Sequence, residues 1–170
     1  KWNFQTPSEE ELHKRDQLVA ELGFSPVICL LLVQRGITSI EEAKKFFKPS
    51  LNDLHDPFLM PDMDKAVRRL NKALGNKEKI LIYGDYDVDG TTAVSLVFKY
   101  LRPYSSTLDF YIPDRYDEGY GISYKGIDYA AENGVSLVIS LDCGIKAIEK
   151  IEYAKEKGID FIICDHHMPD

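Results

Sequence analysis

From residue 76 onward, short continuous apolar runs alternate with stretches of helical periodicity, and this alternation constrains the fold more than any other feature. Lys79-Ile80-Leu81-Ile82-Tyr83-Gly84 is one such run; a polar loop follows, then a helical pattern from Thr91 to Leu101 that Arg102-Pro103 stops. The cycle recurs with Thr107 to Ile112 and a helix capped by Ser123, with Val135 to Ser140 and a helix from about Ile145, and with Ile159 to Cys164. Strands separated by helices predict right-handed β-α-β units, hence an α/β fold with a parallel sheet covered by helices on both faces.

Residues 1–75 read instead as a short helical N-terminal region, with residues 76–170 as a separate α/β domain. Ser8-Glu9-Glu10-Glu11 is a capping box for a helix to about Leu22, and Ser25-Pro26 places a cap and an N1 proline before a helix that Gly36 ends. A second box, Ser39-Ile40-Glu41-Glu42, opens a helix terminated by Pro49; Asp62 is expected to cap a helix that closes at Gly75.

In open parallel sheets, ligands bind beyond the carboxyl ends of the strands. Three strands here run into acids: Asp85-Tyr86-Asp87-Val88-Asp89-Gly90, Leu141-Asp142-Cys143-Gly144 and Asp165-His166-His167. Any one of these has an ordinary explanation, with Asp89 capping the helix at Thr91, Asp142 in a turn and the histidines in a solvated loop. Their joint occurrence on one rim points to a cation, because crowded carboxylates repel unless neutralised. Oxygen ligands with an imidazole suit Mg²⁺ or Mn²⁺ better than zinc or copper. Asp85-x-Asp87-x-Asp89-Gly90 also copies the start of a calcium-binding EF-hand loop, but Leu96 stands where the bidentate Glu is needed and a strand precedes it. The phosphatase motif D-x-D-G-T, with a nucleophilic aspartate directly after the strand, is out of register by two residues and leaves Asp165-His166-His167 without a role.

Composition agrees with an acidic metal rim. The net charge is −7; residues 1–78 carry 12 basic and 12 acidic side chains, so the whole excess lies in residues 79–170, which carry 9 and 16. This excludes a strongly basic nucleic-acid clamp on this stretch. Three cysteines without a C-x-x-C pair exclude a disulfide framework and a zinc ribbon. Cys143 and Cys164 read as small buried residues and not nucleophiles. With no apolar run near the roughly 18 residues of a membrane span and no signal-peptide pattern at the start, the expected location is cytoplasmic.

Three segments together, Tyr83-Gly84-Asp85-Tyr86-Asp87-Val88-Asp89-Gly90, Leu141-Asp142-Cys143-Gly144 and Cys164-Asp165-His166-His167-Met168-Pro169, resemble the first three motifs of the DHH phosphoesterase superfamily. Arg35-Gly36-Ile37, Asp56-Pro57-Phe58, Ile112-Pro113-Asp114-Arg115 and Glu118-Gly119-Tyr120-Gly121 extend the similarity to its RecJ family of bacterial exonucleases. The resemblance implies a phosphodiesterase that uses two Mn²⁺ or Mg²⁺ ions to remove mononucleotides from the 5′ end of single-stranded DNA in repair and recombination. It implies metal ligands at Asp87, Asp89, Asp142 and His166, with Asp142 bridging two ions, and Asp85 as a further ligand or its support. Asp165 is expected to orient a histidine. Because neighbours in an extended segment point to opposite sides, His167 is assigned to the scissile phosphate or leaving oxygen and not to the ion held by His166. Arg115 and Tyr120 are candidate substrate contacts, against the simpler readings of an Arg115–Asp117 ion pair and ordinary packing of Tyr120.

Single-stranded DNA, a single-stranded-DNA-binding protein and a helicase are the implied partners, with no membrane. Since the family pattern continues to a fourth aspartate motif and later domains, this chain is expected to be part of a longer protein and poorly active alone. The competing functions are a phosphoesterase of small substrates, such as oligoribonucleotides, cyclic dinucleotides or pyrophosphate, and a non-catalytic scaffold of the same fold.

Overall fold

A computed structural model describes residues 6–169, and the chain divides into two compact units, Lys1–Leu59 and Met60–Asp170. In the first, helices α1 (Glu9–Leu22), α2 (Pro26–Val33) and α3 (Ile40–Phe47) form where the capping residues place them. Ser8 and Glu11 close a reciprocal box, as do Ser39 and Glu42, so that orphan N–H groups at both helix starts are satisfied locally. Leu18, Cys29, Leu32, Val33 and Ala43 make a small buried core.

The second unit begins with α4 (Met63–Gly75), followed by β1 (Lys79–Gly84), α5 (Val88–Leu101), β2 (Leu108–Tyr111), α6 (Tyr124–Glu132), β3 (Val135–Leu141), α7 (Ile148–Glu156) and β4 (Asp160–Cys164). Although the sequence groups α4 with the N-terminal helices, its Ala73, Leu70 and Leu74 pack into the core against the sheet. Asp62 stands at the N-cap position of α4 without capping it: its backbone is left-handed at φ 60° and its carboxylate pairs with Lys65 at 2.6 Å. The helix expected from Ile145 begins three residues later, at Ile148.

All strand pairings are parallel and the order is β2-β1-β3-β4. Period-two alternation sends Ile80, Ile82, Leu137, Ile139 and Leu141 to the face covered by α4 and α5. Leu81, Tyr83 and Val138 go to the other face, against Ile127 and Ala130 of α6 and Ala154 of α7. Helices therefore cover both faces, which is why the strands read as continuous apolar runs. The chain steps from β1 outward to β2 and then returns past β1 to β3, so the reversal of strand order, where such sheets bind ligands, falls between β1 and β3.

The opposite, amino-terminal edge of the sheet is held by charge. Arg69 on α4 donates from Nε to Asp160 at 2.6 Å and from Nη2 to Glu78 at 2.7 Å, and the Ser136 hydroxyl donates to the same Glu78 oxygen at 2.7 Å. The Ser136 and Arg69 hydrogen bonds hold the Glu78 carboxyl at about 2, against an ordinary 4.5. A folded-state pKa below the unfolded one stabilises at pH above 4.5 and is lost as pH falls toward 2. Between pH 6 and pH 3 this linkage amounts to about 2 kcal/mol. Urea unfolding at the two pH values is expected to show a loss larger by about that amount in the wild type than in Glu78→Gln. Equal losses would remove Glu78 from the acid response.

Candidate metal centre

The carboxyl ends of β1, β3 and β4 gather the acidic motifs. Asp85 directly follows β1 and is fully buried. Its Oδ1 accepts the Gly121 N–H at 3.2 Å, while Oδ2 has no hydrogen-bond partner. Leaving a buried carboxylate oxygen unpaired is costly unless a cation meets it. Ser140, the penultimate residue of β3, is also fully buried with an unpartnered Oγ.

Asp87, and not Asp89, caps α5: its Oδ1 accepts the N–H groups of Asp89 at 3.1 Å and Gly90 at 3.0 Å. The helix consequently starts at Val88, three residues before the apolar periodicity suggests, with the carboxylate at the favourable end of the helix dipole. Asp89 lies exposed in the first turn. Gly90 permits this turn to close, because a Cβ there would stand 2.4 Å from the Asp85 carbonyl oxygen.

After β3, Asp142 adopts a left-handed backbone at φ 60° and donates its N–H to the Cys164 carbonyl at 2.8 Å. The turn brings its Oδ1 to 3.0 Å from His166 Nε2, with the Asp142 side chain only 9% exposed. Strained backbone of this kind in a residue other than glycine concentrates at functional sites.

The two histidines depart from the expected geometry. β4 ends at Cys164, and Asp165 accepts the His167 N–H at 3.0 Å, so the segment turns where an extended chain was expected. The imidazoles of His166 and His167 thus lie side by side, with ring centroids 4.7 Å apart, instead of on opposite sides. One ligand atom from each of Asp142, His166 and His167 lies within 4.8 Å of the others, a spacing that can hold a metal ion. The histidine that Asp165 orients is His167: its Nδ1 sits 2.7 Å from Asp165 Oδ1, and Asp165 Oδ2 accepts the Ile145 N–H at 2.9 Å. Burial pushes the Asp165 carboxyl up, but these hydrogen bonds outweigh it and the net shift is downward. The same hydrogen bond raises His167 above its usual value and, with Nδ1 donating, leaves Nε2 as the outward-facing nitrogen.

Between β2 and α6 the chain brings Tyr120 to the rim, half-exposed, with its hydroxyl 3.4 Å from His167 Nε2. Burial and the charges of Asp85, Asp142 and Asp87 push its phenol to about 12. Arg115 does not pair with Asp117, whose partner is Lys125 at 3.9 Å; its guanidinium lies over the Tyr86 ring, 5.3 Å from the centroid. Tyr86, which the sequence reading passed over, meets Tyr120 edge to face at 6.1 Å. Its position inside Asp85-Tyr86-Asp87 was the available signal. Cys143 is buried and its thiol is pushed to about 12, chiefly by burial, which fits packing. Cys164, expected to be buried, is exposed, because β4 is an edge strand of the described sheet.

Known proteins resemble this chain in sequence and in fold. The single-stranded-DNA-specific exonuclease RecJ of Bacillus subtilis is 41% identical over 169 residues, covering 99% of this chain and 21% of that protein. Its Escherichia coli counterpart is 32% identical over 161 residues, covering 94% and 27%. The chain therefore spans about a fifth to a quarter of the length of these relatives. A crystal structure of exonuclease RecJ bound to manganese matches with a TM-score of 0.58 at 31% identity, over 62% of this chain and 27% of that one. The Mn²⁺ complex of RecJ from Thermus thermophilus shares the fold over 98% of this chain and 22% of its own, with a TM-score of 0.69 at 24% identity. No helix among the described residues is long and apolar enough to cross a membrane. Residues 79–170, which hold the sheet and every side chain of the rim, match the DHH family, N-terminal domain, and the chain belongs to that family.

Proposed function

We propose that this chain carries most of the metal centre of a Mn²⁺- or Mg²⁺-dependent phosphodiesterase that degrades single-stranded DNA from its 5′ end to mononucleotides in repair and recombination. The observation that carries the reading is the Asp142, His166 and His167 group at the carboxyl ends of β3 and β4, with a buried, unpaired Asp85 Oδ2 at the end of the neighbouring β1. The donor set fits hard or borderline divalent ions: carboxylates from Asp85, Asp87, Asp89 and Asp142 and the imidazole of His166 are the proposed ligands. When bound, a pair of such ions supplies charge neutralisation for the phosphodiester and activation of the attacking water.

The remaining roles belong to side chains. Asp165 fixes the His167 ring through Nδ1 and favours its protonated form, in which Nε2–H donates to the scissile phosphate or the leaving oxygen. Tyr120, next to that nitrogen, offers a half-exposed ring and hydroxyl to the terminal nucleotide. Arg115 faces the same loop and provides a cation for the DNA backbone, with Tyr86 as its aromatic support. The acidic rim meets an anionic substrate only when cations are present, which makes activity metal-dependent by electrostatics alone. Single-stranded DNA is thus the proposed substrate, with a single-stranded-DNA-binding protein and a helicase as proposed partners. The proposed organisation is a helical region over residues 1–75, whose last helix α4 packs on the sheet, and the first part of a DHH domain over 76–170, working in a cytoplasmic protein.

The test is digestion of a 5′-labelled single-stranded oligonucleotide in Mn²⁺ by the natural full-length polypeptide carrying this sequence, beside its Asp87→Ala variant. Release of 5′ mononucleotides by the first and not the second is the expected result. An intact oligonucleotide would overturn the nuclease reading and leave a small phosphoester substrate or a scaffold.

A further inference from the structure

Asp85 gives one carboxylate oxygen to a backbone N–H and leaves the other buried without a partner, and what fixes that division lies outside the proposed ligand set. The N–H belongs to Gly121, in the loop between β2 and α6. Two residues before Asp85 on β1, the fully buried Tyr83 hydroxyl donates to the Gly121 carbonyl at 2.9 Å and accepts the Ser123 N–H at 3.1 Å. A single phenol therefore clamps the backbone on both sides of Ile122, and its ring is stacked on Tyr111 with centroids 5.4 Å apart.

The loop is closed a second time by Glu118. Its Oε1 accepts the Asp114 N–H at 2.8 Å and the Tyr111 hydroxyl at 3.0 Å. Its Oε2 accepts the hydroxyl of Ser123, the residue that caps α6 through the Gly126 N–H at 2.8 Å. Glu118 thereby joins the start of the loop, its end and β2. Gly119 and Gly121, at φ 78° and 80°, supply the left-handed turns that let the chain double back between these anchors. Gly126 completes the arrangement, because a Cβ there would stand 2.6 Å from the Tyr83 ring.

We infer that Tyr83 and Glu118 are positioning residues for the metal site: by pinning the 114–123 loop they hold the Gly121 N–H on Asp85 Oδ1 and so keep Oδ2 free as the ligand oxygen. Neither touches substrate or ion. Without the clamp, the Gly121 amide drifts and the Asp85 carboxylate loses its fixed orientation, while the other proposed ligands stay in place. Supporting groups of this kind typically change metal affinity 10- to 100-fold.

The inference rests on the metal-centre reading above, and the test separates the two. Mn²⁺ titration by calorimetry would be run at one temperature, well below unfolding, on the natural full-length polypeptide carrying this sequence and its Asp142→Ala, Tyr83→Phe and Glu118→Gln variants, with Ser123→Ala as a milder break of the Glu118 link. Amide hydrogen exchange at Gly121 would be followed in parallel. We expect Tyr83→Phe and Glu118→Gln to bind Mn²⁺ about 10- to 100-fold more weakly, with a faster Gly121 amide. A purely structural role would lower the melting temperature and leave Mn²⁺ affinity unchanged. Wild-type affinity in both folded variants, or in Ser123→Ala if those two do not fold, would overturn the inference while the metal centre stands. Wild-type binding that is absent, or unaffected by Asp142→Ala, would overturn both.

Discussion

Asp142→Asn is expected to reduce Mn²⁺-dependent hydrolysis on the order of 10³-fold while leaving the fold intact. Asparagine is the informative replacement because Asp142 has a left-handed backbone at φ 60°, a conformation that asparagine tolerates better than alanine. Its N–H can still bond the Cys164 carbonyl, and its amide oxygen can still accept from His166 Nε2 at the observed 3.0 Å. What disappears is one negative charge from a rim that also holds Asp85, Asp87 and Asp165. Without metal, that loss relieves repulsion, so the melting temperature of the metal-free variant should equal or exceed that of the wild type. With Mn²⁺, the wild type gains stability by mass action and the variant gains little. The pair of results excludes misfolding as the cause of lost activity. Hydrolysis within tenfold of wild type would show instead that Asp142 is there for its turn conformation.

The residues divide by the range of the interactions that place them. Ser8 with Glu11, Ser39 with Glu42 and Ser123 with Gly126 act within three positions, so their helices are legible from short sequence patterns. The strands are legible because burial on both faces leaves continuous apolar runs, and the acids beyond them follow from the chemistry of strand ends. Misplacements arise where a side chain captures a backbone group. Asp87 takes the Gly90 N–H and starts α5 early; Asp165 takes that of His167, and the chain turns so that both imidazoles lie side by side. Periodicity holds no record of such captures, since an aspartate in a loop looks the same whichever N–H it finds. Tyr83 and Glu118 were invisible as supports for a further reason. The Tyr83 phenol acts on backbone atoms 38 and 40 residues away, and nothing in Glu118-Gly119-Tyr120-Gly121 says that the glutamate ties Tyr111, Asp114 and Ser123 together.

Gly90→Ala should produce the largest loss of stability among single-methyl changes in the second unit. In an open helix the same substitution stabilises by about 0.5–1 kcal/mol, because alanine has less backbone entropy to lose. Gly90 lies in the first turn of α5, yet its Cβ would stand 2.4 Å from the carbonyl oxygen, 2.7 Å from the nitrogen and 2.8 Å from the carbonyl carbon of Asp85. All three are backbone atoms at the end of the central strand, with no flexible tip to swing aside. The start of α5 must lift, and the N–H groups that Asp87 caps must move with it. A destabilisation of about 3 kcal/mol or more is expected, a fall in melting temperature of roughly 10–20 °C for a unit of this size. Gly75→Ala is the matched control: nothing lies within 4 Å of its added Cβ at the end of α4, and it should be neutral or stabilising. Displacement of Asp85 also predicts that the folded fraction of Gly90→Ala binds Mn²⁺ more weakly than Gly75→Ala, although neither glycine contributes a ligand. Equal stability of the two variants would mean that α5 does not start in contact with the end of β1, and the link between this glycine and the metal rim would fail with it.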